Sequence, residues 1–288
     1  ITKTILDVLQ KPFRKKDINQ KNTETSLIEY FLYPKYGPGQ LWTKVAELVE
    51  EKGGILHKNA KVIQLNGTKE LTSALVETGK EKTQSTITFD YCISTMPIKD
   101  LFNAFSFSIP SDIKYISDNL VYRDFITVGI LLDKTKIELN DNWIYIQESY
   151  VKVGRIQVFN NWSPFLVKES HTVWLGLEYF CNESDTLWQL NEEELIALAT
   201  QELIQLGFIN ASENVLDATV IKVPKTYPAY FGAYNEFYKI REFVDPIDNL
   251  FLVGRNGMHK YNNQDHSMLT AMQAVQNIKN GVLSKENI

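Results

Sequence analysis

The sequence predicts a mixed α/β protein (α+β overall) in which one part carries short buried strands next to helices and another part carries a mainly antiparallel sheet. Three observations predict this fold class. Apolar runs bounded by glycine alternate with helical patterns near both ends of the chain. Between them, several strand-like runs with alternating polarity follow one another. The 288 residues also exceed the usual size of one domain, and 44% apolar with 23% charged residues is typical of a globular protein.

The first third of the chain has the pattern of helices followed by strands. ITKTILDVLQ has helical spacing from Ile1, and Pro12 ends it. A second helix follows the YGPGQ turn, and Gly53 with Gly54 supplies its end. Its apolar residues share one face: Leu41, Val45, Leu48 and Val49. Further strands are predicted in ILHKNAKVIQLN, as a strand pair, in LTSALVETG and in STITFDYCISTMP.

The middle of the chain predicts two short helices, four strands and one long helix. The short helices are IKDLFNAF and SDIKYISDN, and the strands are LVYRDFITVGILLD, WIYIQE, GRIQVFNNW and TVWLGLEYFC. The long helix, NEEELIALATQELIQLGF, carries a capping signal in Asn191 and Glu194, and Gly207 ends it.

The last third predicts a strand, a helix, a second strand and a final helix. VLDATVIKVPKTYPAY is expected to be a strand broken at Pro224 and Pro228, and FGAYNEFYKIREFV is helical. NLFLVG has the short apolar run of a central parallel strand and ends at Gly254. The final helix, QDHSMLTAMQAVQNIKNG, can be capped by Asn263 or Asp265.

Charge and composition narrow the classes of function. A net charge of -5 argues against a nucleic-acid partner, which would need a basic surface. No apolar run reaches the ~20 residues of a membrane span, and no signal peptide is visible, so a cytoplasmic protein is expected. Cys92 and Cys181 lie in apolar runs and are interpreted as free thiols. No metal site is expected, because no Cys/His/Asp cluster has ligand spacing.

The stretch NLFLVGRNGMHKYNNQDHSMLTAM, from Asn249 to Met272, carries more polar groups than a strand–helix connection needs. A strand that ends in Gly254 and turns into a helix places free N–H groups and a positive dipole end at the edge of the sheet. That geometry favours an anionic or carbonyl-bearing ligand. A well-capped surface helix with a polar turn explains the same residues and stays open as the alternative.

GRNGMHKYNNQD, from Gly254 to Asp265, resembles the C-terminal flavin-contact motif of the FAD-dependent superfamily of amine oxidases, protoporphyrinogen oxidases and UDP-galactopyranose mutases. Three further segments support the resemblance: YPKYGPGQLWTKVAELVEEKGGILHKNAKVIQL, FDYCISTMP and VPKTYPAY. The sequence has no G-x-G-x-x-G turn, and Gly37-Pro38-Gly39 is interpreted as an ordinary turn. Because the chain also begins at Ile1, we expect that the N-terminal cofactor half is absent and that this chain alone binds FAD weakly or not at all.

The resemblance implies the following site residues. Those expected to contact FAD are Val62, Gly254, Arg255, Gln264, Asp265, His266, Ser267 and Met268. Those expected to contact substrate are Arg255, Tyr261, Tyr227 and Tyr230. His266 is the weak candidate for a proton donor, with a capping histidine as the alternative. Tyr227, Tyr230 and Tyr234 either line a substrate pocket or, the favoured interpretation, form an aromatic core seam, and Arg123 and Arg155 either meet an anionic substrate or lie at a solvated strand edge.

The implied architecture is a partial FAD-binding, Rossmann-like domain (residues 36–97 and 218–288) and a substrate domain (residues 1–35 and 98–217). The implied function is hydride transfer through flavin N5 by an oxidoreductase of bacterial surface polysaccharide (lipopolysaccharide) synthesis. Its substrate would be a small molecule, with a nucleotide sugar and a polyprenyl-linked sugar as candidates. Departures from the mutase pattern at His259, Asn263 and Gln264 weigh against the mutase reaction. A mutase-like enzyme and a non-catalytic binding protein remain the alternatives.

Overall fold

The computed structural model describes residues 32–133, 135 and 138–288. The predicted helix ITKTILDVLQ lies outside the described residues. In chain order the elements are α1 (Pro38–Glu51), β1 (Ala60–Gly67), β2 (Leu71–Thr78), β3 (Thr83–Thr88), β4 (Cys92–Ser94), α2 (Ile98–Ala104), α3 (Ser111–Asp118), β5 (Tyr122–Leu132), β6 (Trp143–Tyr145), β7 (Arg155–Val158), α4 (Phe159–Trp162), β8 (Val173–Cys181), α5 (Thr186–Gln189), α6 (Glu192–Gln205), β9 (Val215–Pro228), α7 (Phe237–Val244), β10 (Leu250–Leu252), α8 (Gly254–Gly257) and α9 (Gln264–Lys279).

The described strands form three sheets. β1, β2 and β3 make an antiparallel meander, and β10 pairs in parallel with β4. The largest sheet has the order β6-β7-β8-β5-β9, and every pair in it is antiparallel. Helices pack beside these sheets, which confirms the predicted mixed α/β fold with a mainly antiparallel sheet.

One core cluster joins the meander to the parallel pair and to α2, α3 and α7. Leu65 and Leu71 of the meander share it with Leu101 of α2, Ile240 of α7 and Leu250 of β10. The cluster continues along the chain to residue 122. The predicted domain boundary at residue 97 stays a prediction.

A second core cluster lies between the five-stranded sheet and α6. Leu195, Ala199 and Leu203 are spaced four residues apart on α6, so they share one face, and all three are fully buried. The predicted capping box is confirmed: the Asn191 side chain accepts from the Glu194 backbone N–H, and the Glu194 side chain accepts from that of Asn191.

One strand prediction holds in part and another is wrong. β9 spans residues 215–228 and ends at Pro228, and the break expected at Pro224 is present as a bulge, because the pairing of β9 with β5 is interrupted between Val223 and Tyr227. The predicted strand pair in ILHKNAKVIQLN is a single strand that begins at Ala60. The left-handed backbone of Asn59 (φ 53°) immediately precedes this strand.

α1 and β4 both present surfaces without a partner in the described part of the chain. α1 has no buried residue, and its predicted apolar face is exposed to solvent. β4 pairs only with β10 there, so the backbone groups of Ile93, which alternate away from β10, face outward. No helix among the described residues combines the length and apolar character needed to cross a bilayer.

Candidate functional site

The turn that follows β10 lies against the end of the parallel strand β4. Gly254 has φ +72°, a backbone conformation that L side chains rarely adopt. Gly257 approaches β4 so closely that an added Cβ would lie 2.5 Å from the Ser94 carbonyl oxygen. The same oxygen accepts a hydrogen bond from the Val253 N–H at 3.0 Å. The turn is therefore fixed at the carboxyl ends of both parallel strands.

The first turn of α9 leaves its backbone donors open. Asn263 occupies the N-cap position as predicted, but its side chain forms no capping hydrogen bond. Among the described residues, the N–H groups of Gln264, Asp265 and His266 have no hydrogen-bond partner. A 16-residue helix thus presents free donors and its positive dipole end. Trp42 of α1 lies next to this end, since its Nε1 donates to Gln264 Oε1 at 3.2 Å.

Arg255 packs beside two stacked tyrosine rings. Its guanidinium carbon is 5.2 Å from the ring centroid of Tyr227 and 4.8 Å from that of Tyr261, and the two rings stack 5.9 Å apart. Nε and Nη2 donate to the Asn262 carbonyl oxygen, and Nη1 donates to that of Thr226. Arg255 therefore braces the turn, and two of its five N–H donors remain for a ligand.

A bulge in β9 delivers Thr226 and Tyr227 to this arginine. Lys225 has φ +54° at a register shift between β5 and β9. The backbone N–H of Lys225 donates to the buried carboxylate of Asp124 at 2.7 Å. The side-chain amine of Lys225 is ion-paired with Asp100 of α2 at 2.6 Å. The side-chain amide of Asn256, in the turn, donates to the carbonyl oxygen of Lys225 at 3.0 Å. Strand, helix and turn are thereby fixed together.

His259 is fully buried in an aromatic cage behind the turn. Its ring lies 4.7 Å from that of Tyr122 and 5.6 Å from that of Tyr234, and Nε2 is 3.1 Å from the Ala229 carbonyl oxygen. Burial lowers the pKa of His259, and the hydrogen bond to Ala229 opposes that shift. The imidazole is therefore neutral, with Nε2 as donor and Nδ1 as a buried atom that has no hydrogen-bond partner among the described residues.

The remaining predicted residues are divided between the turn and other places. Ser267 lies in the first turn of α9, where its hydroxyl donates to Oδ1 of Asn262 at 2.8 Å. Met268 and His266 are exposed, and His266 Nδ1 is 3.3 Å from Asp265 Oδ1. Val62 lies elsewhere, on β1 at the edge of the first core cluster. The other predicted tyrosine, Tyr230, accepts a hydrogen bond from the Tyr261 N–H and is half exposed.

The face of the five-stranded sheet that does not contact α6 meets this turn, and we call it the open face. Arg155 of β7 is ion-paired there with the buried Glu178 of β8. Burial raises the pKa of Tyr227, and the charges of Arg155, Glu178 and Arg255 also act on its hydroxyl. Tyr227 therefore joins the open face to the turn. Arg123, the other arginine considered, donates instead to the Phe180 carbonyl oxygen.

The sequence alone did not indicate the residues that brace the site. Lys225, Asp124 and Asn256 act through backbone contacts with residues far away in the chain, so no local pattern reveals them. Trp42 had a usable signal, since it is a large apolar residue near the start of a helix that resembles the family's central segment. In the described part of the chain, no group of three or more metal-ligating side chains is assembled.

No model of a known protein family matches the sequence. The fold is that of a class of solved oxidoreductase and mutase structures. A reduced UDP-galactopyranose mutase matches with a TM-score of 0.73 at 20% identity, over 86% of this chain and 53% of that one. A putative protoporphyrinogen oxidase from Exiguobacterium sp. 255-15 matches with a TM-score of 0.60 at 12% identity (83% and 51%). An oxidoreductase from Methanosarcina mazei matches with 0.56 at 13% identity (84% and 55%). The chain thus spans about half the length of these structures, and at such identities the likeness concerns the fold.

Proposed function

We propose that this chain is part of an FAD-dependent oxidoreductase whose substrate is an anionic sugar compound. The observation that carries the proposal is the first turn of α9 with its free N–H groups, which lies at the carboxyl ends of two parallel strands beside Arg255. In open α/β sheets, ligands bind outside this edge. The likeness in fold to an oxidoreductase and to a protoporphyrinogen oxidase supports the same class of enzyme.

The residues of the turn fit a flavin. A flavin ring presents carbonyl oxygens and a nitrogen that gains negative charge on reduction, and both need donors. The open N–H groups of Gln264, Asp265 and His266 are such donors, and the helix dipole adds to their effect. The backbone of Gly254 lies directly against the start of α9, since an added Cβ would be in van der Waals contact with Ser267, 3.6 Å from its Oγ. A pyrophosphate cradle of the G-x-G-x-x-G kind is not part of the sequence.

A bound flavin would supply hydride transfer at N5, and the chain would supply the positions and charges around it. The start of α9 would stabilise negative charge at the edge of the flavin ring. Arg255, with its guanidinium beside the rings of Tyr227 and Tyr261, would direct its two remaining N–H groups to an oxyanion of the substrate. His266, exposed at the helix start, remains the candidate to hold a proton there.

The charge of the open face favours an anionic substrate. Among the described residues, neither Arg255 nor Arg123 is in an ion pair, whereas Arg155 is neutralised by Glu178. Positive charge is therefore left at the turn in a chain whose net charge is -5. A nucleotide sugar or a polyprenyl-linked sugar of surface polysaccharide synthesis has both the charge and the polar rings that such a site can bind.

A nucleotide-sugar mutase is the second candidate. The match to the reduced UDP-galactopyranose mutase favours it, because that match has the highest TM-score of the three structures compared. The substitutions at His259, Asn263 and Gln264 weigh against it. The two candidates differ in net redox change: a mutase isomerises its sugar without net oxidation, whereas an oxidoreductase leaves an oxidised or reduced product.

The test uses the protein expressed from its complete reading frame. We expect visible absorbance from bound flavin and tight binding of a UDP-sugar. Arg255→Ala should weaken the UDP-sugar more than FAD, and Arg241→Ala, in an ion pair on α7, should weaken neither. Equal losses of both ligands in Arg255→Ala would reject the role given to Arg255. A preparation without flavin that also takes none up from solution would reject the proposed function.

A further inference from the structure

His259 follows the short helix α8 and has a left-handed backbone. Its φ is +47°, a conformation that residues other than glycine seldom adopt. The Lys260 N–H donates to the Arg255 carbonyl oxygen at 2.9 Å, and the His259 N–H donates to that of Asn256 at 3.2 Å. These two hydrogen bonds form a Schellman motif, in which the left-handed residue is usually glycine. A histidine there is strained, so its conformation needs support from contacts of the side chain.

The aromatic cage around the imidazole gives this support. The cage rings of Tyr122 and Tyr234 come from β5 and from the segment before α7. The ring of Phe237, the first residue of α7, lies 5.7 Å from the imidazole. Nε2 donates to the carbonyl oxygen of Ala229, which directly follows β9. The neutral side chain of His259 therefore ties the turn to three other parts of the fold.

The cage suits a neutral imidazole and not a charged one. Among the described residues, the groups that face the ring carry no charge near neutral pH: the phenols of Tyr122 and Tyr234, the phenyl ring of Phe237 and the carbonyl of Ala229. Aromatic faces attract a cation, but a buried cation loses its hydration, and burial lowers the pKa of His259. A proton on Nδ1 would also create a buried N–H that has no acceptor among the described residues.

The charges of the turn itself add to this effect. The charged side chains between residues 254 and 263 are those of Arg255 and Lys260, and both are positive. Either would repel an imidazolium in the same turn. Protonation of His259 therefore favours a conformation in which its ring leaves the cage for water.

We propose that His259 is a positioning residue: its neutral imidazole fixes the turn that carries Arg255, and its protonation releases the turn and weakens the binding of an anionic ligand. The inference rests on the proposed function, because the ligand is the one bound at Arg255. A proton from solvent adds to Nδ1, the ring leaves the cage, and the left-handed backbone loses its support. The hydrogen bond from Lys260 to the Arg255 carbonyl oxygen then opens.

The side chain of Arg255 moves with the turn. Its guanidinium donates to the carbonyl oxygen of Asn262, which lies in the same turn as His259. A released turn therefore displaces the donors that an anionic ligand needs. His259 is one of the positions at which the chain departs from the mutase pattern, so this pH dependence belongs to this chain.

The direction of the pH dependence separates this effect from a simple charge effect. The ligand binds the form with a neutral His259, so affinity should be constant above the folded pKa and fall below it. One proton changes the Kd by at most about tenfold per pH unit. Protonation of His266, which is exposed at the start of α9, would instead add positive charge near the anion and strengthen binding as the pH falls.

The affinity test is calorimetric titration of a UDP-sugar into the protein from its complete reading frame, at about pH 8 and about pH 5. The wild-type Kd should be higher at the lower pH. His259→Gln keeps an N–H donor and has no site for a proton, so its Kd should stay low at both. His259→Ala empties the cage and should give a high Kd at both. His57→Gln, at an exposed histidine before β1, should behave like the wild type.

The second test follows the turn by NMR without ligand. The sequence has four histidines, and substitution of each in turn assigns its ring signals. The signal of His259 should titrate below the pH range of an ordinary histidine, about 6.5. Over the same pH range, the protection of the Lys260 amide from hydrogen exchange should fall. The Gly79 amide, bonded to the Asn59 carbonyl oxygen in the meander, should keep its protection and serves as the control.

Three results would overturn the inference: titration of His259 at about 6.5, unchanged protection of Lys260 while His259 titrates, or the same pH dependence of the Kd in His259→Gln and the wild type. If His259→Ala does not fold, the comparison of the wild type with His259→Gln and the NMR titration still decide. If Lys260 responds to protonation but no UDP-sugar binds at either pH, the proposed function fails and the role of His259 in the turn stands. If the UDP-sugar binds equally at both pH values, only the role of His259 fails.

Discussion

Substitution of Gly257 by alanine tests whether the turn must lie directly against β4. An added Cβ would lie 2.5 Å from the Ser94 carbonyl oxygen and 3.2 Å from the Thr95 Cα, whereas real Cβ contacts essentially never fall under 3.0 Å. Both neighbours are backbone atoms, so no flexible side chain can move aside. The turn or the strand end must retreat by about 0.5 Å, and overpacking of this kind typically costs about 1–3 kcal/mol.

The same retreat should disturb the site. The Ser94 oxygen also accepts the Val253 N–H, so moving the strand end strains the hydrogen bond that fixes the start of the turn. Arg255 is two residues from the substitution and moves with it. A displaced Arg255 weakens its charge-assisted hydrogen bond to an anionic ligand, and a loss of about 1.4 kcal/mol corresponds to a UDP-sugar affinity roughly tenfold lower.

Urea unfolding followed by tryptophan fluorescence measures the stability, and calorimetric titration measures the affinity. Gly39→Ala is the matched control, since an added Cβ there meets nothing within 4 Å and the position lies in α1. It should raise the free energy of unfolding by about 0.5–1 kcal/mol, as expected for Gly to Ala in a helix. If Gly257→Ala unfolds at the wild-type urea concentration and binds the UDP-sugar equally well, the reasoning is refuted.

Three further predictions concern stability. Glu202 is a buried carboxylate that accepts two backbone N–H groups and a tyrosine hydroxyl, so Glu202→Gln should lower the free energy of unfolding by about 1–3 kcal/mol. Glu193→Gln, at an exposed position of the same helix, is the control and should leave it unchanged; equal urea midpoints of the two variants would contradict this prediction. The pKa of His259 is depressed in the folded protein, so the unfolded chain binds more protons, and the free energy of unfolding should fall as the pH drops from about 6.5 toward the folded pKa. His259→Asn should flatten this dependence of the free energy of unfolding on pH. An unchanged dependence would exclude His259 as its source. The side chain of Asn249 forms hydrogen bonds with three backbone groups on two segments. Asn249→Ala should therefore lower the free energy of unfolding by about 1–3 kcal/mol, measured by urea unfolding. A change within about 0.5 kcal/mol, as is usual for a surface substitution, would contradict this prediction.

Elements with local signals could be predicted from the sequence. The helix from Glu192 to Gln205 has its capping box and glycine stop within the segment itself, so its limits follow from adjacent residues. The interruption expected at Pro224 is present, because proline is a local signal. Its form was not predictable: residues 224–226 lie opposite Asp124 alone, with Lys225 at φ +54°, and this bulge depends on the pairing of β9 with β5.

The candidate site divides in the same way. The strand that ends at Gly254 and the helix that follows could be predicted, because both patterns are local. The partners of Arg255 could not be predicted, since Thr226 reaches it only through a bulge at Lys225.

Amide hydrogen exchange at the start of α9 tests the central claim most directly. The protein from its complete reading frame is compared with and without FAD, and flavin absorbance reports occupancy. If the open N–H groups of Gln264, Asp265 and His266 hold the flavin, their exchange should slow when FAD binds, while exchange in residues 79–82, a hairpin turn of the meander, stays the same. Full flavin occupancy with unchanged exchange at these three amides would contradict the account.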